Sequence, residues 1–196
     1  MKKLFLMIIF VLSALSFSAN AANNNLYFDI ANGDSGITYV SNGNTVERTG
    51  NSIYFNRSAN TKEAYIKMQM PDGFGKEREF VLEFTVNTTA IKGGISFFKA
   101  SGPDGDFAFM QTNGYSQLVI PLSTGAKGIN LAGKTVDVKL CVNLDTKLGK
   151  VIVGTSEYEV DYSKQISGFP ALADDYEINS FTLGTANGGP NAELTV

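Results

Sequence analysis

Residues 135–162 read TVDVKLCVNLDTKLGKVIVGTSEYEVDY. Val136, Val138, Leu140, Val142 and Leu144 recur at every second position, and Asp137, Lys139, Cys141, Asn143 and Asp145 fill the gaps. A strand sends successive side chains to opposite faces, so this alternation predicts one strand with an apolar and a polar side. Lys147-Leu148-Gly149 is expected to turn the chain, Lys150 to Val153 to form a short apolar strand, and Ser156 to Tyr162 to alternate again. An antiparallel sheet with one face on a core and one in water carries this pattern.

The same code extends outward. In Glu79–Asn87, Phe80, Leu82, Phe84 and Val86 share a face opposite Val81, Glu83 and Thr85. Short strand candidates lie at 26–30, 37–40, 46–49, 53–56, 63–70, 94–100, 107–112, 117–122, 178–184 and 192–196. Gly, Asn, Asp and Pro clusters separate them, as at Gly102-Pro103-Asp104-Gly105-Asp106. Many short strands between turn formers indicate a sandwich or barrel. Only 163–176 leaves room for a single turn of helix.

Residues 1–21 read as an export signal. Lys2 and Lys3 precede an apolar run from Leu4 to Leu15, and Ala19-Asn20-Ala21 is a small-x-small cleavage site. The run is shorter than the ~20 residues that span a bilayer. Residues 22–196 are then expected to form one domain, secreted, periplasmic or at the cell surface. Removal of the leader takes two lysines from 16 basic residues and leaves 14 against 19 acidic, a net charge of −5. That balance disfavours nucleic acid and anionic membrane surfaces as partners.

Histidine and tryptophan are absent and Cys141 is the single cysteine. Ser-His-Asp and Cys-His catalysis, histidine-bearing zinc sites and an internal disulfide are therefore excluded. Cys141 reads as a small packed side chain. The sequons at Asn56 and Asn87 are expected to be unmodified beside a bacterial-type leader.

The segments EFVLEFTV, GISFFKA, DFAFMQ, VDVKLCVNLDTKLGKVIVG and INSFTLGTANGGPNAELTV, in that order, resemble the concanavalin A-like lectin/glucanase superfamily. The likeness is to laminin-G-like jelly rolls of secreted bacterial proteins. Asn143-Leu144-Asp145-Thr146 and Ile178 to Thr185 carry it. It implies an all-β, two-sheet antiparallel jelly-roll sandwich whose final strand pairs with the N-terminal region. Such domains commonly continue beyond a strand like Ala192 to Val196, so the chain is read as a complete domain or as a C-terminally truncated one.

Three site hypotheses follow. The first is a glycan or cell-surface polysaccharide held on a polar sheet face by Glu83, Thr85, Gln111, Lys139 and Asn143, with Phe98 and Tyr115 as stacking platforms. The second is hydrolysis or lyase chemistry by Glu157, Glu159 and Asp161, which strand spacing puts on one face; retaining glycosidases need two carboxyls ~5.5 Å apart. An acidic solvent face is the simpler explanation of that run. The third is structural calcium at Asp104 and Asp106, with Asp174-Asp175 as a second location; two aspartates alone give fewer oxygens than the six or so calcium takes. A structural or adhesive surface protein without a small ligand is the remaining class. The expectation is a non-catalytic carbohydrate-binding or accessory module with no cofactor other than that calcium.

Overall fold

The computed structural model describes residues 36–57, 63–72, 74, 77–91, 95–113, 115–185 and 192–195. The leader at 1–21 and the strand expected at 26–30 lie outside the described residues.

Among the described residues, fourteen strands make two seven-stranded antiparallel sheets. They are β1 (Ile37–Val40), β2 (Thr45–Thr49), β3 (Ser52–Arg57), β4 (Ala64–Gln69), β5 (Glu79–Ile91), β6 (Ile95–Gly102) and β7 (Gly105–Asn113), followed by β8 (Gln117–Leu122), β9 (Gly125–Asn130), β10 (Thr135–Asn143), β11 (Leu148–Val153), β12 (Ser156–Asp161), β13 (Ser180–Thr185) and β14 (Ala192–Thr195). Sheet A runs β1-β4-β13-β6-β7-β8-β9 and sheet B runs β12-β11-β10-β5-β14-β3-β2. The fold is the expected all-β, two-sheet antiparallel sandwich. β14 lies between β3 and β5, so the last strand does pair with the N-terminal region.

The alternation in 135–162 holds residue by residue. Val138, Leu140, Val142 and Leu144 are buried, and β10 pairs with β5 so that Leu140 meets Leu82 and Val138 meets Phe84. The turn falls at 144–147 rather than 147–149: Asn143 Oδ1 accepts from the Thr146 amide at 2.8 Å, and Lys147 takes a left-handed φ of 57°. An Asn side chain that caps its own turn lets strand pairing resume at Leu148.

Phenylalanines fill the space between the sheets. Phe80 of sheet B meets Phe109 edge-on at 5.1 Å and Phe181 at 5.0 Å, while Phe98 stacks on Phe181 at 5.1 Å. Such pairs contribute about 0.5–1.5 kcal/mol each beyond the area they bury. In β7, Ala108 pairs with Lys99 and Met110 with Phe98, which leaves Phe109 as an extra residue. This bulge puts two consecutive side chains, Phe109 and Met110, into the core.

The turn of helix expected within 163–176 does not form. The segment is irregular, with turns and an isolated bridge between Ile166 and Phe169. Tyr162, Phe169, Leu172, Tyr176 and Ile178 are buried along it. Tyr162 donates its hydroxyl to the Phe109 carbonyl at 3.0 Å, and Tyr176 donates to the Ala100 carbonyl at 3.0 Å. Apolar residues spaced to anchor a crossing chain override a weak helical spacing. Among the described residues no helix is long and apolar enough to cross a membrane.

Candidate functional site

The outer face of sheet B is a ladder of polar pairs from β5 to β10. Glu83 faces Lys139, Thr85 faces Asp137 and Glu79 faces Asn143 across the register. Each pair is bonded. Thr85 Oγ1 donates to Asp137 Oδ1 at 2.6 Å, Asn143 Nδ2 donates to Glu79 Oε1 at 2.6 Å, and Lys139 forms an ion pair with Glu83. The hydrogen bond from Lys139 to Glu83 raises the ammonium pKa and keeps it charged. Burial pushes the Cys141 thiol up as well, so it stays protonated and unreactive.

A shallow open depression of about 430 Å³ sits over this ladder. Glu83, Thr85, Asp137, Lys139, Ile152 and Gly154 line it. Gly154 holds the β11–β12 turn at φ 59° and donates its amide to the Asp137 carbonyl at 2.8 Å. Chemically the depression offers two carboxylates, a hydroxyl and an ammonium beside the aliphatic surface of Ile152. All stand on rigid strands.

The residues expected on one face fall in three places. Glu83, Thr85, Lys139 and Asn143 come together as expected. Asn143 is already committed, because its carbonyl oxygen caps the β10–β11 turn and its amide holds Glu79. Gln111 is on sheet A, the other side of the sandwich, where Nε2 donates to the Gly168 carbonyl at 2.6 Å and ties down the 163–179 crossing. Tyr115 is 82% exposed in the β7–β8 turn of sheet A. Phe98 is corrected outright: it is 1% exposed, stacked on Phe181 in the core, and presents no face to a sugar. Asp137 and Ile152 were not singled out. Asp137 was legible as the residue two before Lys139, and so on its face. Ile152 was not, because β11 reads as an unbroken apolar run.

Glu157, Glu159 and Asp161 do line one side of β12, the edge strand of sheet B. Lys150, directly opposite Glu159, reaches Glu157 at 2.8 Å. Asp161 accepts from the Ser163 hydroxyl at 2.5 Å and amide at 2.9 Å and pairs with Lys164. The Ser163 hydroxyl, ahead of the opposing effect of burial, holds its carboxyl below the usual range. A sugar-cleaving general acid needs a shift in the other direction.

Asp104 and Asp106 flank Gly105 at the β6–β7 turn. Asp106 accepts from Lys99 Nζ at 2.7 Å and Ser101 Oγ at 2.6 Å. Among the described residues no three Asp, Glu or Cys side chains gather in a metal-ligating group. Asp174 pairs with Lys147, and the Asp174 and Tyr176 carbonyls accept from Arg78.

No family model and no curated protein matches this chain. Solved structures do. A sialidase matches with a TM-score of 0.58 and 15% identity over 82% of this chain and 16% of its own. Trypanosoma rangeli sialidase in complex with sialic acid matches at 0.52 and 16% identity, over 81% and 26%. The globular domain of T. cruzi calreticulin matches at 0.50 and 12% identity, over 86% and 87%. This chain therefore spans only 16% and 26% of the two sialidase chains. Likeness at such identities establishes the sandwich fold.

Proposed function

We propose that this chain is an exported, non-catalytic carbohydrate-binding module whose glycan lies on the outer face of sheet B. The observation that carries the reading is the depression over the Glu83–Lys139 and Thr85–Asp137 pairs. A sugar presents adjacent hydroxyls, each both donor and acceptor. Glu83 and Asp137 would accept from them, and Lys139 and Thr85 would donate to them. Ile152 would meet the C–H face of the ring. Side chains already paired across rigid strands need little ordering on binding. The depression is shallow, so a single site is expected to bind in the mM range, about −4 kcal/mol. A sugar ligand also accords with the fold likeness to a sialidase solved with sialic acid. Export rests on the three-part leader at 1–21. The Asp161 geometry weighs against a hydrolase built on the β12 carboxylates.

The test is titration of the ¹⁵N-labelled protein with a panel of neutral oligosaccharides. Amide shifts should cluster at 83–85, 137–139 and 152–154. Glu83→Gln and Asp137→Asn should each weaken binding about tenfold, the worth of a hydrogen bond to a charged group. Glu157→Gln should leave it unchanged. No shift with any sugar at tens of mM, or shifts confined to β12, would sink the reading.

A further inference from the structure

The outer face of sheet A holds a chemically different arrangement. β13 points Phe181 and Leu183 into the core and Ser180, Thr182 and Gly184 outward. Hydroxyls on the outside of a sheet are ordinarily wet, yet Ser180 is 2% and Thr182 7% exposed. The register supplies the reason. Thr182 lies directly between Lys67 of β4 and Lys99 of β6, and Ser180 lies between Gln69 and Ser101. Thr182 is thus shorter than both of its cross-strand neighbours, whose long stems can lie along the sheet.

Among the described residues neither hydroxyl oxygen is sealed away without a partner, so the Thr182 oxygen keeps access to the surface. Two strand spacings, about 9.5 Å, separate the Lys67 and Lys99 backbones, and flexible four-carbon stems close that gap onto one group. Lys99 is steadied by Asp106 at 2.7 Å, while Lys67 has no ion pair among the described residues. Lys67, Lys99 and Asp106 together carry one net positive charge. The outer face of sheet B, from β5 to β12, sets six carboxylates against Lys139 and Lys150. An anion is steered towards the first face and away from the second.

We propose that the outer face of sheet A, at Lys67, Lys99 and Thr182, binds the carboxylate or sulfate group of an acidic polysaccharide. The two ammonium groups flank the oxyanion and the Thr182 hydroxyl donates to it from below. Asp106 holds Lys99 in place. The site is separate from the sheet B depression and does not depend on it.

Calorimetry on the full chain with three oligosaccharides tests this: a uronic acid oligomer, a sulfated galactose oligomer and the neutral galactose oligomer. At least one charged oligomer should bind at low salt more tightly than the neutral one and weaken as salt rises. Preference between the two charged oligomers identifies the group. Lys67→Gln and Thr182→Val should each reduce that binding about tenfold, with unchanged thermal stability. Thr182→Val alters no charge, so its effect separates hydrogen bonding from general surface potential. Glu83→Gln and Asp137→Asn should leave the charged oligomer's binding intact even if the sheet B reading fails. The proposal is overturned if neither charged oligomer binds more tightly than the neutral one, if Thr182→Val and Lys67→Gln change nothing, or if the Glu83 and Asp137 variants abolish the preference for charge.

Discussion

β10 and β13 each lie third from an edge of their sheet, and both send polar side chains away from the core. Their outward residues nonetheless meet water differently. On β10, Asp137, Lys139 and Asn143 are long enough to reach partners on β5 at the surface. On β13, Ser180, Thr182 and Gly184 are short, and Thr182 in particular lies between the longer Lys67 of β4 and Lys99 of β6. Outward is thus not the same as exposed. The length of a side chain relative to its cross-strand neighbours decides whether a sheet face is a set of wet ion pairs or a floor beneath basic walls.

That contrast makes its largest claim about stability. Gly184 has φ 146°, and a Cβ there would lie 2.5 Å from the Ala64 carbonyl oxygen and 2.6 Å from the Tyr65 Cα. Both contacts are backbone, which cannot swing aside. Gly184→Ala should therefore destabilise the protein by about 2–3 kcal/mol in urea unfolding. Lys139→Ala removes a surface ion pair and should cost no more than about 1 kcal/mol. Equal losses from the two substitutions would break the comparison.

A smaller effect concerns the end of the sandwich. Arg78 donates to Asp145 at 2.6 Å and to the Tyr176 and Asp174 carbonyls at 2.9 and 3.3 Å. It thereby ties the 163–179 crossing to the β10–β11 turn, next to the face that β10 presents. Its planar fork reaches the three acceptors from three separate nitrogens, whereas a lysine would have to serve them all from one. Arg78→Lys should cost about 1–2 kcal/mol and raise hydrogen exchange along 172–178 before β13 is affected. Exchange rising first in β13 would place the anchor elsewhere.

The two faces also differ in how far the sequence disclosed them. Alternation in 79–87 and 135–144 identified the sheet B ladder, because each of those runs keeps its period of two throughout. The bulge at Phe109 breaks that period in β7. Gln111 therefore could not be assigned to a sheet from its spacing, and it was grouped with Glu83 although the sandwich separates them. Phe98 sits among Phe97, Lys99 and Ala100 with no clean alternation, and only pairing with β13 and β7 shows which side it faces. β9 (GAKGIN) carries no apolar stripe and does not figure among the strand candidates; it forms because β8 offers it a complete edge. The burial of Thr182 depends on which strands flank β13. That is long-range information, which no local pattern holds.

Acid should reveal the smallest difference between the faces. Burial raises the Asp106 carboxyl on sheet A, but hydrogen bonds from Lys99 and Ser101 and the charges of Lys99 and Lys67 outweigh it and leave it below the ordinary value of 3.8. Asp161, on the sheet B edge, is lowered chiefly by the Ser163 hydroxyl, with Lys164 adding to it. A carboxyl that is more acidic in the folded chain binds fewer protons there than in the unfolded one. Its contribution is complete above the unfolded value, and it disappears as pH falls below 3.8 through the folded value. Both groups keep contact with water, so each effect is modest. Urea midpoints followed downward from neutral pH should fall less steeply below 3.8 in Asp106→Asn and in Asp161→Asn than in the parent. Added salt should flatten the Asp106 component more, since two lysine charges support it, whereas Asp161 leans first on a neutral hydroxyl. If salt acted equally on both variants, the basic character assigned to the sheet A face would lose its support.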